Sequence, residues 1–137
     1  MITEVSWKLW PVPSASRTVT VSDPSQALRA VHRPLAVLET DTSSSCFIEG
    51  SDAAVADACA TLGADGEPGL EWPAPPTTPV VISVRVPPRS LVAAVDIVRN
   101  HDPASFVAQH GVGVIDVGFE TFTSERLEQL RSALGAL

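Results

Sequence analysis

Tyrosine is absent from this chain, and with three Trp and four Phe the aromatic share is only 5%. A core must therefore be built mainly from Val, Leu, Ile and Ala. Cysteine is as sparse: Cys46 and Cys59 make neither a disulfide framework nor a metal motif. Cys46 lies in an apolar strand and Cys59 among alanines in a helix, so both read as buried thiols, which suits a reducing cytoplasm. No run of about 18 apolar residues is present and no signal-peptide core is recognisable, so no membrane span is expected. Positive charge is also short. Nine Lys and Arg against sixteen Asp and Glu give a net charge of −7. The basic residues are scattered, so the clustered cations that nucleic-acid binding needs are missing.

What is present suffices for one domain. A chain of 137 residues, 45% of them apolar, buries roughly two-thirds of its unfolded surface. The first stretch, Ile2 to Leu9, reads as a strand stopped by Pro11 and Pro13. "RTVTVSDPSQALRAVH" then alternates as a strand through Val19 and Val21 before changing period. Asp23 is placed to cap a helix, Pro24 suits its first position, and Pro34 ends it. Leu35–Leu38 and Cys46–Ile48 flank a polar loop as a hairpin. Ser51 opens a second helix with Val55, Cys59 and Leu62 on one face and Gly63 as its stop. Residues 64–79 carry five prolines and two glycines and read as a linker or exposed loop, with Trp72 pinning it.

The same plan then returns. "VVISVRV" is a strand, and "PPRSLVAAVDIVRN" a helix facing inward through Leu91, Val95 and Val98. "ASFVAQHGVGVIDVGF" is a hairpin turning near Gly111 and Gly113, and the last helix presents Leu127, Leu130 and Leu134. Each half is β-α-β-β-α, with repeat 1 at about 16–63 and repeat 2 at about 80–137. The expected fold class is α+β: duplicated ferredoxin-like units forming an antiparallel sheet, shared or stacked, with helices on one face.

No catalytic constellation emerges from the residues. His32 closes the first helix, where a cation favours the dipole; His101 and Asp102 follow the third helix in the same way. His110, beside Gly111 at a hairpin tip, reads as solvated. His101, Asp102 and His110 together match no metal-ligand spacing. Ser43–Ser45 lack a nucleophile elbow and a base. "GADGEPG" has no Lys and no helix start, unlike a phosphate loop. Glu39 and Asp41 show no reason for a shifted pKa, and Glu125 and Glu128 read as charges on the start of the last helix.

The opening segment does carry a resemblance. "ITEVSWKLWPVP" resembles the pattern "G-x-L-G-V-I-T-E-V-x-x-K-L-x-P-x-P" that closes the FAD-binding domain in FAD-linked oxidases of the vanillyl-alcohol-oxidase type, through Ile2, Thr3, Glu4, Val5, Lys8, Leu9, Pro11 and Pro13. In that family a cap domain of two ferredoxin-like units follows. The branch typified by the FAD-binding subunit of bacterial glycolate oxidase has an "EGS-x-x-A-V" strand-to-helix join, similar to "IEGSDAAV" at Ile48–Val55 here. The resemblance implies that residues 1–13 are a remnant of the last flavin-domain strand and 14–137 the cap. The Gly-rich FAD-binding part and the family's "K-x-x-F-D-P-x-x-x-L-N-P-G" signature have no counterpart in the sequence.

The reading that follows is a cap, or substrate-side, domain fragment of an FAD-dependent oxidoreductase acting on a 2-hydroxy acid such as glycolate. It binds no FAD alone, has no catalytic residue of its own, and partners the missing FAD-binding domain or other oxidase subunits. Strand alternation then nominates Ser83, Arg85, Gln109 and Asp116 as polar residues of the uncovered sheet face, with Arg85 suited to a substrate carboxylate through its fork of donors. The rival reading is a free-standing ferredoxin-like module that binds a partner or small molecule and forms a homodimer through its exposed sheet.

Overall fold

A computed structural model describes residues 12–137; the strand expected over Ile2–Leu9 lies outside the described residues. The elements run β1 (Ala15–Thr20), α1 (Pro24–Ala30), β2 (Ala36–Thr40), β3 (Ser44–Gly50), α2 (Asp52–Leu62), the two-residue β4 (Glu67–Pro68), β5 (Val80–Arg85), α3 (Leu91–Arg99), β6 (Ser105–His110), β7 (Val114–Phe119) and α4 (Ser124–Gly135). The fold is α+β, and the two halves share the β-α-β-β-α order.

Local chemistry sets most of these boundaries. The Asp23 carboxylate accepts the Gln26 N–H at 3.1 Å, with Pro24 at the first helical position. Ser51 and Thr123 cap α2 and α4 in the same way, through the N–H groups of Ala54 and Arg126. These caps satisfy backbone donors that a helix start otherwise leaves without partners. Gly63 ends α2 at φ 72°, a left-handed conformation glycine adopts at little cost. The first helix stops at Ala30, earlier than the spacing of Leu28 and Val31 suggests. Val31 turns extended and is buried outside the helix, and His32 lies exposed beyond it.

The seven strands form one antiparallel sheet in the order β4-β1-β3-β2-β6-β7-β5. Of the shared and stacked arrangements, the shared sheet is the one adopted, and its seam is the β2–β6 pair, where Leu38 faces Gln109. Pairing across that seam puts the inward residues of both halves on one face. Val19, Val37, Cys46 and Ile48 pack there against Ala27 of α1 and Val55 and Cys59 of α2. Val84, Phe106, Ile115, Val117 and Phe119 pack against Leu91, Ala94, Val95 and Val98 of α3. All four helices thus cover one face. Both thiols are free and buried, as expected.

The opposite face is crossed by the segment between the halves, which does more than link them. β4 and β5 stand at opposite edges, about 29 Å apart at normal strand spacing. The eleven residues between them reach about 36 Å when extended, so a nearly straight, Pro-rich path is required. Leu70 packs against Ala36, Leu38 and Phe47, and the Trp72 ring stacks on Phe47 at 4.3 Å. Thr18 fastens the crossing at its start: its hydroxyl donates to Gly69 C=O and accepts the Glu71 N–H, each at 2.9 Å. At the far side Pro76 and Thr78 press on Gly118, where any Cβ would collide with them.

Candidate functional site

The helix-free face is where the sequence placed its candidates. Strand register puts all four there together. Ser83 faces Asp116 across the β5–β7 pair, and Arg85 faces Val114, which in turn faces Gln109. Ser83 and Arg85 are exposed, while Gln109 and Asp116 are half-buried. Val81, Val107 and Val114 alternate with them, so the surface over β5, β6 and β7 mixes polar and apolar groups. Arg85 is the one cation among the four nominated residues.

The concavity of this face lies elsewhere. A groove of about 460 Å³ opens over the first half, between β1, β2 and β3 and the crossing segment. Thr20, Thr40, Ser43 and Ser45 line it with hydroxyls, opposite Glu71 and the half-exposed Trp72. The serines read as a polar hairpin loop thus form the wall of a groove. Its signal in the sequence is the alternation of Thr18 and Thr20 in β1, which only strand pairing gathers with Thr40 and Ser45 into one surface.

On the helix-covered face the structure corrects two expectations. His110 is not solvated: it is 5% exposed, and its Nε2 lies 2.9 Å from Oε1 of Glu39. A carboxylate oxygen accepts, so Nε2 is the protonated nitrogen in this contact. Glu39 does have a reason for a shifted pKa. The His110 hydrogen bond holds its carboxyl below the usual 4.5, against the opposing pull of partial burial and with further help from Arg99. Arg99 Nη2 donates to Glu39 Oε2 at 2.9 Å and to Thr40 C=O at 3.3 Å, with its guanidinium over the Phe106 ring. Glu39 comes from the first half, His110 and Arg99 from the second. The triad is a polar rivet through the seam.

His101 stays at the end of α3, where Arg126 donates to its backbone carbonyl. Asp102 adopts a positive φ of 50° in the turn that follows. Among the described residues no three His, Cys, Asp or Glu side chains cluster as metal ligands, and no helix is long and apolar enough to cross a membrane.

The glycines of the crossing segment serve the sheet edge. Gly66 abuts the β1 backbone at Thr18, and the Gly69 N–H is spent on Ser16 C=O at 3.0 Å. No family model, curated protein or solved structure matches the chain.

Proposed function

We propose that this chain is the substrate-side cap of an FAD-linked oxidoreductase acting on a small 2-hydroxy acid of the glycolate kind. The observation that carries the reading is the helix-free sheet face, on which Ser83, Arg85, Gln109 and Asp116 fall together among valines. A surface closing over a flavin needs both kinds of group. Apolar patches exclude water, and a few polar ones orient the substrate. In this role Arg85 receives the substrate carboxylate, and Ser83 and Gln109 offer hydrogen bonds to its hydroxyl. The flavin, held by another domain or subunit, supplies the redox chemistry. Two buried free thiols suit the reducing cytoplasm where such an enzyme works.

The test is a chimera. The cap of a glycolate-oxidising FAD enzyme is replaced by this chain, and glycolate-dependent dye reduction is followed. Turnover is expected, with Arg85→Ala raising KM about tenfold or more through loss of a charged hydrogen-bonding partner. A chimera that retains its flavin absorbance yet never reduces dye refutes the proposal. So does turnover indifferent to Arg85.

A further inference from the structure

The two sheet edges are finished differently. On one side β4 shields β1 with only two residues, one of them Pro68, which has no N–H to offer a further strand. On the other side β5 is six residues long, rich in Val and Ile, with β7 as its one partner among the described residues.

Hydrogen-bond parity shows which of its groups point outward. The Val86 N–H donates to Gly113 C=O at 2.9 Å, extending the register in which Arg85 faces Val114. Backbone direction alternates along a strand. Val80, Ile82 and Val84 therefore spend their amide groups on β7, whereas Val81, Ser83 and Arg85 aim theirs away from the sheet. The next residues of that outward series are Pro79 and Pro87, which lack an N–H. They stand equally far from Ser83 on either side, so the usable edge is a short ladder centred on Ser83.

We propose that this edge pairs with β5 of a second copy, antiparallel about a two-fold axis at Ser83. In this register Ser83 meets its twin, and Val81 meets the partner's Arg85 on both sides of the axis. Every outward N–H and C=O of the three residues is satisfied reciprocally. Any register shifted by two places a proline opposite one of them and loses bonds. The side chains agree with the backbone. Val81, 51% exposed, lies under the aliphatic stem of the opposing arginine, and the two like charges are never directly opposed. Two seven-stranded sheets become one continuous sheet, with helices of both copies on the same face. This pairing shares Ser83 and Arg85 with the flavin-cap reading, but it rests on the strand edge and does not depend on that reading.

Multi-angle light scattering with sedimentation velocity tests it on the full chain. The wild type is expected at twice 14.4 kDa at high concentration, dissociating on dilution. Val81→Lys, which sets lysine against arginine twice, is expected to give monomer. Val81→Glu, which sets carboxylate against arginine, is expected to tighten the dimer about threefold or more at low salt. Ser83→Pro deletes an N–H that the protomer's own sheet does not use, and is expected to abolish the dimer with an unchanged circular dichroism spectrum. A shortened chain beginning at Val12 is expected to remain dimeric. A wild type monomeric at every concentration, equal effects of Val81→Lys and Val81→Glu, a dimer that survives Ser83→Pro, or loss of the dimer on shortening each overturns the proposal. None of these outcomes bears on glycolate turnover by the chimera, so the two proposals fail separately.

Discussion

Replacing Glu39 by alanine removes the central member of the seam triad, and its cost follows from what is left behind. His110, with a side chain 4% exposed, keeps a buried N–H with no acceptor, which costs about 1–3 kcal/mol. The contact with Arg99 adds little, because that side chain is 42% exposed and such pairs contribute about 0.5 kcal/mol. Together the loss is about 2 kcal/mol, or a fall in Tm of about 8 °C for a chain of this size. The pH dependence has a fixed sign. Glu39 has its folded-state pKa depressed, mainly by the His110 hydrogen bond. Its contribution is therefore full above the ordinary value of 4.5 and is lost as pH falls through the folded value. Urea unfolding of wild type and Glu39→Ala is expected to differ by the full amount at neutral pH and by less under acid conditions, where the protonated carboxyl keeps an oxygen for His110 but loses its charge. Glu39→Gln, which keeps an oxygen for His110, is expected to cost less than half as much. A gap that persists unchanged in acid refutes the electrostatic account, and a glutamine variant as weak as the alanine one refutes the role of the His110 bond.

Trp72→Ala is expected to free the crossing segment by uncovering Phe47, with a loss of about 1–2 kcal/mol because the indole is already half-exposed; faster proteolytic cleavage between residues 64 and 79 is the readout, and an unchanged cleavage rate refutes the anchoring. Burial pushes the Cys46 thiol up to about 11, with the neighbouring Cys59 adding to the shift. Thiol titration of the folded protein at about pH 8 is expected to leave Cys46 unmodified until denaturant is added, since the thiolate is the reactive form; labelling of Cys46 in the native state contradicts its place in the core.

The sheet became one surface through a pairing that no local pattern contains. Leu38 and Gln109 meet across the seam although about seventy residues separate them, because β2 and β6 each had a free side once their own hairpins formed. Everything peculiar to the seam follows from that meeting. His110 looks like a hairpin-tip residue in isolation, since Gly111 and Gly113 do make the turn beside it. It is buried because β2 lies on its other side and brings Glu39 to it. The groove has the same origin: Thr20, Thr40 and Ser45 are ordinary outward residues until the crossing segment sets Glu71 and Trp72 above them.

Read alone, the sequence settled what depends on neighbours within a few residues. Asp23 and Ser51 end in side chains that cap a helix wherever the helix goes, and Gly63 stops one for reasons of backbone sterics. Alternation also put Ser83, Arg85, Gln109 and Asp116 on the face away from the helices, because a strand's two faces are fixed by its period of two. Tertiary structure alone decided where the two halves join, that Glu39 and His110 bond, and that the Pro-rich segment lies across the sheet. Those outcomes depend on which surfaces remain unsatisfied after local structure has formed, and that is a property of the whole chain.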